Sequence, residues 1–367
     1  MKKINILFAT EDFYPSFIGG QGVWGGKLVA HLERRGVRVT VLAEKREERN
    51  APNVILVPFC FGNQLLLALF EYLYFIVVCR TEYFDIVHAN QLTALFFILF
   101  RPKNIGRTVV SVHNTWDQMG RHWPLIFLES YIFRHADGLL FHTESEKRYA
   151  LKRYKLAGKV TAVVPIGTHQ IHELSPEARR MLRNQLAIPE DASVVLYVGR
   201  LVRRKHVDTI LRALKLLQKR RRNILGIIIG QGADRTRLES MSPPNVRFYG
   251  FTEDVEPYFQ ASDIFVLPSV AEGGVALAAY EAAAYGLALL LSPDAADPHI
   301  LKDGENGFIV SPTDADVLAE KITDAIRHRN AFGLASRQKA GKRTWEATAA
   351  GTISFYRRLL GTGANTG

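Results

Sequence analysis

The chain has 367 residues, enough for two domains of ordinary size, and its 47% hydrophobic and 23% charged residues are the composition of a soluble globular protein. Its formal net charge of +11 indicates an acidic partner, such as nucleic acid, an anionic lipid surface or a sugar phosphate. The two cysteines, Cys60 and Cys79, have no metal-ligand spacing, which argues against a disulfide framework and fits a reducing cytosol. No apolar run is long enough for a signal peptide or a membrane span.

Short apolar strands alternate with helices along the first half of the chain. A long loop of residues 11–26 separates the first strand from the first helix. Strands are predicted at Ile4–Ala9, Val37–Ala43, Val54–Pro58, Ile86–His88, Thr108–His113, Gly138–His142 and Lys159–Pro165. Helices are predicted at Lys27–Arg35, Leu65–Val78, Leu92–Phe100, Leu125–Arg134 and Ser145–Tyr154. This alternation predicts a doubly wound parallel sheet.

The second half repeats the alternation after a polar segment, Thr168–Asn184, which we interpret as an interdomain linker. Strands are predicted at Val194–Val198, Ile224–Ile229, Val246–Tyr249, Ile264–Leu267, Ala288–Ser292 and Gly307–Val310. Helices are predicted at Val207–Lys219, Arg235–Ser240, Val255–Gln260, Val275–Tyr285, Ala315–Arg327 and Trp345–Leu360. The fold class is therefore α/β, and ligands of such sheets bind outside the carboxyl ends of the strands.

The stretch from Pro268 to Gly286 follows an apolar strand and combines a glycine turn with an alanine-rich helix that Gly286 should end. Free amides at Gly273, Gly274 and Val275, together with the helix dipole, would form an anion site. Glu272 lies at the mouth of this site, and Glu281 is the one charge on an otherwise apolar helix. Two carboxylates that accept hydroxyl hydrogen bonds beside a phosphate site suit a sugar nucleotide, although each alone could be a solvated charge.

A basic loop directly follows the strand VVLYV. In it, Gly199 precedes Arg200, and Lys205 lies five residues further on; both cations could reach a diphosphate, whereas Arg203 and Arg204 fit a solvated loop. A second glycine turn, Gly230-Gln231-Gly232, ends the next strand and is either a ligand loop or a plain turn.

A formal G-x-G-x-x-G motif runs from Gly20 to Gly25, and Glu44 ends the next strand, as in a dinucleotide site. About ten residues separate the motif from its strand, so a nicotinamide oxidoreductase is only an alternative interpretation. We expect Gly20 and Gly22 to let a ligand or an opposing domain approach closely.

Histidines and aspartates supply further candidates. His113, at the carboxyl end of a strand, should face the ligand crevice, whereas His88 is interpreted as structural. Asp314 and Asp316 resemble a metal pair but fit helix capping better, so no metal site is predicted. The basic run Lys219–Arg222 lacks interleaved aromatic residues, and no nucleic-acid partner is predicted.

Two strongly apolar helices lie at Leu65–Val78 and Leu92–Phe100. Each is either a buried helix or a face for a bilayer surface, next to the basic residues Arg80, Arg101 and Lys103.

In combination these stretches resemble the retaining glycosyltransferases of family 4, which have the two-Rossmann-domain (GT-B) fold. The resemblance covers nearly the whole chain and rests on IGGQGVWGGKLVAHLERRGVRVTVLA, FDIVHAN, VVSVHNTW, ADGLLFHTESE, VVPIGTH, LYVGRLVRRKHVDTILRAL, IIIGQGADRTRLE, NVRFYGFTEDVEPYFQASDIFVLPS, EGGVALAAYEAAAYG and DGENGFIV. It implies two Rossmann-like domains facing each other across a cleft, with the acceptor bound by residues 1–168 and the nucleotide sugar by residues 169–343. The C-terminal helix, 344–360, would cross back to the N-terminal domain.

The resemblance also implies roles for individual residues. Arg200 and Lys205 would hold the donor diphosphate, Glu281 the ribose hydroxyls, and His113 would face the sugar at the reaction centre. Glu272 would hold the donor sugar and phosphates with Gly273, Gly274 and Val275, and Gly20, Gly22, Gly199 and Gly232 would line the donor site. Eight residues separate Glu272 from Glu281 where the family has seven, so either the loop is one residue longer or Gly273 takes the place of the first acid. Asn114 stands where many relatives have Asp.

The sequence therefore predicts a cytoplasmic, metal-independent retaining glycosyltransferase with a UDP- or GDP-sugar donor and no other cofactor. Its basic, apolar N-terminal half favours a lipid-linked or cell-surface glycan precursor as acceptor, at the inner face of the cytoplasmic membrane. The alternatives are a transferase with a soluble sugar acceptor and a non-catalytic protein that binds sugar nucleotides.

Overall fold

The computed structural model describes residues 3–10, 13, 20–44, 53–57, 64–113, 115, 123–168, 171, 173–220, 223–252, 254–270, 276–341 and 343–361. The chain divides into two compact units, which are Met1–Gly167 with Trp345–Gly367 and Thr168–Thr344. No helix among these residues has the length and hydropathy that a membrane span requires.

The N-terminal unit contains a seven-stranded parallel sheet. Its strands are β1 (Asn5–Thr10), β2 (Arg38–Glu44), β3 (Val54–Val57), β4 (Phe84–Asn90), β5 (Ile105–Val112), β6 (Gly138–Phe141) and β7 (Thr161–Val163). The strand order is β3-β2-β1-β4-β5-β6-β7, so the order reverses between β1 and β4. Its first helices are α1 (Gly20–Arg34), α2 (Gln64–Val78), α3 (Ala94–Leu99), α4 (Trp123–His135) and α5 (Glu144–Arg153).

The last helix of the chain, α12 (Trp345–Leu359), belongs to the N-terminal unit. It lies against α1, where the rings of Trp345 and His31 stack with centroids 6.2 Å apart. Phe355 and Leu359 pack so closely over Gly138 that a Cβ there would collide with both. The predicted crossing of the C-terminal helix back to the N-terminal domain is confirmed.

The C-terminal unit contains a six-stranded parallel sheet. Its strands are β8 (Ser193–Val198), β9 (Ile224–Ile229), β10 (Val246–Tyr249), β11 (Ile264–Leu267), β12 (Ala288–Leu291) and β13 (Gly307–Ile309). The order β10-β9-β8-β11-β12-β13 reverses between β8 and β11. Its helices are α6 (Pro176–Gln185), α7 (Val207–Lys219), α8 (Arg235–Ser240), α9 (Glu256–Ala261), α10 (Leu277–Ala284) and α11 (Ala315–Ala340). β9, β11 and β12 are continuous apolar runs in which every residue is buried, as expected where helices cover both faces of a parallel sheet.

Local hydrogen bonds explain where several helices begin. Thr143 and Glu146 form a reciprocal capping box on α5. The Asp314 carboxylate accepts from the backbone N–H of Val317 at 3.0 Å, which confirms that Asp314 caps α11. The predicted linker was wrong for its second half, where Ser175 caps α6 and Pro176 occupies the first helical position.

Candidate functional site

The loops that follow β8 and β9 lie side by side at the carboxyl ends of these strands. Gly199 donates its backbone N–H to the carbonyl of Ile229 at 3.0 Å, and Leu201 donates to the carbonyl of Gln231 at 2.8 Å. The strand pairing therefore continues into both loops. β8 borders the point where the strand order reverses, which is the usual ligand position in such sheets.

Glycines allow this close approach. A Cβ on Gly230, whose φ is +145°, would overlap the carbonyl oxygen of Gly199, and a Cβ on Gly232 would overlap that of Leu201. The structure thus brings the loop of Gly199 and the loop of Gly232 together at the carboxyl ends of β8 and β9, and the packing requires glycine at positions 230 and 232.

The basic loop after β8 presents its cations in different environments. Arg200 is exposed, and its carbonyl accepts a hydrogen bond from the Tyr197 hydroxyl at 2.8 Å. Arg203, Arg204 and Lys205 form a short 3-10 helix. The side chain of Arg203 is 76% exposed and pairs with Asp234 at 3.2 Å, whereas Lys205 is only 9% exposed. Lys205 is therefore not a solvated surface charge. Burying an ammonium group costs free energy, which a bound anion would offset.

The loop after β11 is joined to the same 3-10 helix. Val270 donates its backbone N–H to the Arg204 carbonyl at 2.8 Å, and the Ser269 hydroxyl donates to the same oxygen at 3.3 Å. Ser292 in turn donates its hydroxyl to the Ser269 carbonyl. These hydrogen bonds fix the start of this loop next to the turn that carries Lys205. The two segments follow β11 and β8, the neighbouring strands between which the strand order reverses. The predicted site residues Glu272, Gly273, Gly274 and Val275, like Asn114, lie outside the described residues.

Helix α10 follows that loop and carries Glu281. As predicted, Gly286 ends the helix: it has a φ of +76°, its N–H bonds to Ala283 O, and the N–H of Leu287 bonds to Ala282 O, both at 3.0 Å. Glu281 is partly exposed among mostly buried neighbours. Burial, followed by the charges of Glu256 and Glu281, raises the pKa of Tyr285.

The glycines of the first predicted loop lie in a helix. α1 begins at Gly20 rather than at Lys27, so the predicted loop over residues 20–26 was wrong. Gly20 is exposed in the first turn, and Gly22 is buried. At Gly25 a Cβ would approach the Phe8 ring to 3.2 Å, which shows that glycines let α1 pack closely on the sheet.

His113 lies at the carboxyl end of β5, where a second histidine, His142, follows β6. The Nδ1 atom of His113 is 3.1 Å from Nε2 of His142, whose Nδ1 is 3.1 Å from the carbonyl oxygen of Val164. Trp24 packs edge-on against this pair, with centroids 4.6 Å from His113 and 5.1 Å from His142. Trp24 and His142 are not among the site residues that the sequence predicts.

His88 has a structural role, as predicted. Its Nδ1 is 2.5 Å from the Tyr356 hydroxyl on α12, and its Nε2 is 2.6 Å from the Ser111 hydroxyl. Burial, together with the nearby His142, lowers the pKa of His88 to about 3. Burial lowers the pKa of His142 to about 4 and that of His113 well below its usual value. All three rings are therefore neutral at pH 7.

A further polar pair marks the reversal of strand order in the N-terminal sheet. The side-chain amide of Asn90, at the end of β4, donates to the Thr10 hydroxyl at the end of β1, at 2.7 Å, and both residues are buried. Both are the last residue of a central strand, which is the sequence signal that could have identified them.

The two parallel sheets define a protein with two Rossmann-like domains. The family comparisons then identify the chain as a member of the glycosyltransferases with the GT-B fold: the Glycosyltransferase Family 4 model matches residues 18–170, and the Glycosyl transferases group 1 model matches residues 178–345. This membership favours a transferase over the alternative of a nicotinamide oxidoreductase.

Similar proteins cover almost the whole chain. The D-inositol 3-phosphate glycosyltransferase of Mycobacterium tuberculosis is 26% identical, over 94% of this chain and 79% of the relative. Sucrose-phosphate synthase from Thermosynechococcus elongatus superposes with a TM-score of 0.85 at 22% identity, covering 98% of this chain and 100% of that one. HepE from Anabaena, in complex with UDP and glucose, has a TM-score of 0.76 at 19% identity and covers 96% and 99%. WaaG, a glycosyltransferase involved in lipopolysaccharide biosynthesis, has a TM-score of 0.76 at 20% identity and covers 95% and 99%.

Proposed function

We propose that this protein is a retaining glycosyltransferase that moves a sugar from a UDP- or GDP-sugar to an acceptor without a metal ion or other cofactor. The observation that carries the proposal is the joining of the loops after β8, β9 and β11, which places Arg200, Lys205 and the start of the Glu272 loop at one sheet edge. HepE forms complexes with UDP and with UDP-glucose, which supports a nucleotide-sugar donor. The mycobacterial relative is named as a D-inositol 3-phosphate glycosyltransferase, which supports sugar transfer as the reaction.

The chemistry of the transfer suits these residues. When the bond between sugar and diphosphate breaks, negative charge develops on the leaving diphosphate. Lys205 supplies a point charge and Arg200 a planar fork, and both would stabilise that charge. Glu281 would accept hydrogen bonds from the ribose hydroxyls, and the amides of the Glu272 loop would bind phosphate oxygens at the start of α10.

No metal is needed for charge stabilisation if these cations bind the diphosphate. Among the described residues, no group of three or more His, Cys, Asp or Glu side chains is placed to hold a metal ion. We therefore propose that turnover is the same with magnesium and with a chelator. Retention is tested by NMR of the first anomeric product formed, and an inverted product would contradict this part of the proposal.

Glu281→Ala tests the donor site. We expect one nucleoside diphosphate, or its sugar, to raise the melting temperature of the wild type, because the ligand binds only the folded protein. The rise should be independent of magnesium and largely lost in Glu281→Ala, since the ribose hydroxyls lose their acceptor. The measurement is a thermal-shift panel of nucleotides, with the exposed Glu320→Ala as matched control. A panel that responds only to NAD(P) would contradict the transferase proposal.

The proposed acceptor is a lipid-linked glycan precursor, because one side of the N-terminal unit carries an apolar helix face. This face consists of exposed apolar side chains on the neighbouring helices α2, α3 and α4. They are Leu66, Leu73 and Val77 on α2, Leu99 and the following Phe100 at the end of α3, and Trp123 and Phe127 on α4. Trp123 and Phe127 are 78% and 71% exposed, and one helical turn separates them. WaaG, with the same fold, acts in lipopolysaccharide biosynthesis.

The charges around the apolar helix face fit an anionic bilayer. The acids within the three helices, Glu71 and Glu129, are fully buried, so no carboxylate of these helices faces outward. Arg80 and Lys103 are exposed next to α2 and α3. A basic rim around aromatic and aliphatic side chains is the composition of a peripheral membrane surface, here proposed for the inner face of the cytoplasmic membrane.

The double substitution Trp123→Ser/Phe127→Ser should weaken membrane binding at least about tenfold, since burying two aromatic side chains contributes several kcal/mol at about 25 cal/mol per Å². The measurement is flotation with vesicles that contain phosphatidylglycerol, at low and high salt. Met181→Ser/Leu334→Ser removes two apolar side chains that are 65% and 58% exposed in the C-terminal unit and serves as control. If the wild type does not bind anionic vesicles at low salt, the soluble-acceptor alternative replaces this proposal.

A further inference from the structure

The pairing of β5 with β6 brings two histidines together. Val112 lies opposite Phe141 in the parallel register, and each is followed by a histidine, His113 and His142. The two rings are 4.7 Å apart between centroids and are tilted by 34°. Their mutual hydrogen bond therefore follows from the register of two adjacent strands.

The carbonyl of Val164 determines which nitrogen of His142 carries the proton. A carbonyl oxygen can only accept, so Nδ1 of His142, 3.1 Å away, must be the donor. Because burial lowers the pKa of His142 to about 4, the ring is neutral and carries a single proton. Its Nε2 is consequently an acceptor.

The same reasoning assigns the proton of His113. Nε2 of His142 has no proton, so the hydrogen bond of 3.1 Å between the rings requires Nδ1 of His113 to donate. His113 is also neutral, since burial and the nearby imidazoles lower its pKa. Its Nε2 is therefore a bare acceptor.

This acceptor has no partner in the described part of the chain. Nε2 of His113 is buried, although the residue as a whole is partly exposed. The indole N–H of Trp24, in a ring centred 4.6 Å from that of His113, is likewise buried and unpaired among the described residues. An unpaired buried polar group costs free energy, and a ligand that pairs with it removes that cost.

We propose that His142 is a positioning residue that holds His113 in the Nδ1–H tautomer, so that Nε2 of His113 accepts a hydrogen bond from a hydroxyl of the bound sugar. A neutral acceptor repels phosphate and carboxylate oxygens and pairs with a hydroxyl, which can also accept from a donor such as Trp24. The identity of the ligand rests on the proposed function, whereas the tautomer does not.

The tautomer is measured on the wild type by nitrogen-15 NMR of the histidine side chains, with His113→Gln to assign the signals. We expect a protonated Nδ1 and an unprotonated Nε2 for His113 at pH 7. This is informative because free imidazole side chains prefer the opposite tautomer. A protonated Nε2 on His113 would overturn the proposal.

Two variants of His142 test its positioning role. His142→Gln keeps an acceptor for His113 and a donor for Val164, and we expect it to retain the Nδ1–H tautomer and most of the activity. His142→Leu removes both, so we expect the Nε2–H tautomer and a loss of about 10- to 100-fold in kcat/KM for sugar transfer. Nucleoside diphosphate alone should bind all three proteins equally in a thermal-shift assay. Equal kcat/KM values for His142→Leu and His142→Gln would show that His142 does not act as a positioning residue.

The two proposals fail in different ways. If no nucleotide sugar is turned over but the Nδ1–H tautomer is found, the proposed function fails and the hydrogen-bond relay stands. If transfer occurs with an Nε2–H tautomer, the relay fails and the proposed function stands.

Discussion

Lys205→Met should lower the kcat of sugar transfer by roughly 100- to 1000-fold, the usual effect of removing one group that stabilises transition-state charge. Lys205 is 9% exposed in the 3-10 helix whose Arg204 carbonyl holds the loop after β11. Methionine keeps most of the apolar stem and removes only the ammonium group. Charge develops on the diphosphate as the donor bond breaks, so we expect a larger effect on kcat than on KM. The measurement is steady-state kinetics with the nucleotide sugar found in the thermal-shift panel.

Arg203→Met is the matched control for Lys205→Met, since it removes a cation two residues away whose side chain is 76% exposed. We expect its kcat to remain within about threefold of wild type, because the Arg203 side chain is largely solvated and Asp234 keeps its ion pair with Arg237 at 2.9 Å. Melting temperatures show whether each variant is folded. Equal kcat values for Lys205→Met and wild type would show that Lys205 does not stabilise the leaving group.

Much of the fold was predictable because buried parallel strands are continuous apolar runs with clear ends. The bounds of β9, β10 and β11 and of α7 and α8 match the predicted ones. At both ends of β9, β10, β11 and α7 a polar, glycine or proline residue interrupts the apolar pattern. A continuous apolar run also identified α2, although not which of its side chains face outward.

The start of α1 was not predictable from local preferences. Four of the seven residues from Gly20 to Gly26 are glycine, and glycine disfavours a helix by about 1 kcal/mol per residue. Tertiary packing outweighs this cost, since Trp24 is 1% exposed and Gly25 lies against Phe8. In α6 the signal was local but was misread, because Pro176 after a capping Ser175 begins a helix and does not break one.

The candidate site was partly predictable for a similar reason. Gly199, Arg200 and His113 could be placed from sequence because each follows a recognisable strand at its carboxyl end. Their partners could not, since the bond between His113 and His142 depends on strand register, and the burial of Lys205 depends on a short 3-10 turn. Neither leaves a periodic pattern in the sequence.

The buried histidines make the stability of the N-terminal unit depend on pH. The pKa of His88 is lowered to about 3 and that of His142 to about 4 in the folded protein, whereas an unfolded histidine has a pKa of about 6.5. Below pH 6.5 the unfolded state therefore binds more protons, and stability is lost as the pH falls. Lowering the pH from 7 to 5 should therefore reduce the free energy of unfolding by about 2 kcal/mol for each histidine, or roughly 4 kcal/mol for the pair.

Tryptophan fluorescence can follow this loss in the N-terminal unit alone, because all four tryptophans, at positions 24, 116, 123 and 345, belong to that unit. We expect the urea midpoint to fall steeply from pH 7 to pH 5 in the wild type and much less in His88→Asn/His142→Gln. His135 is exposed, so His135→Gln should leave the pH dependence unchanged. A midpoint as pH-dependent in the double variant as in the wild type would assign the loss to other groups. A urea midpoint that depends less on pH in the double variant than in the wild type would show that His88 and His142 are uncharged in the folded unit. The hydrogen bond from His113 to His142 requires this protonation state of His142.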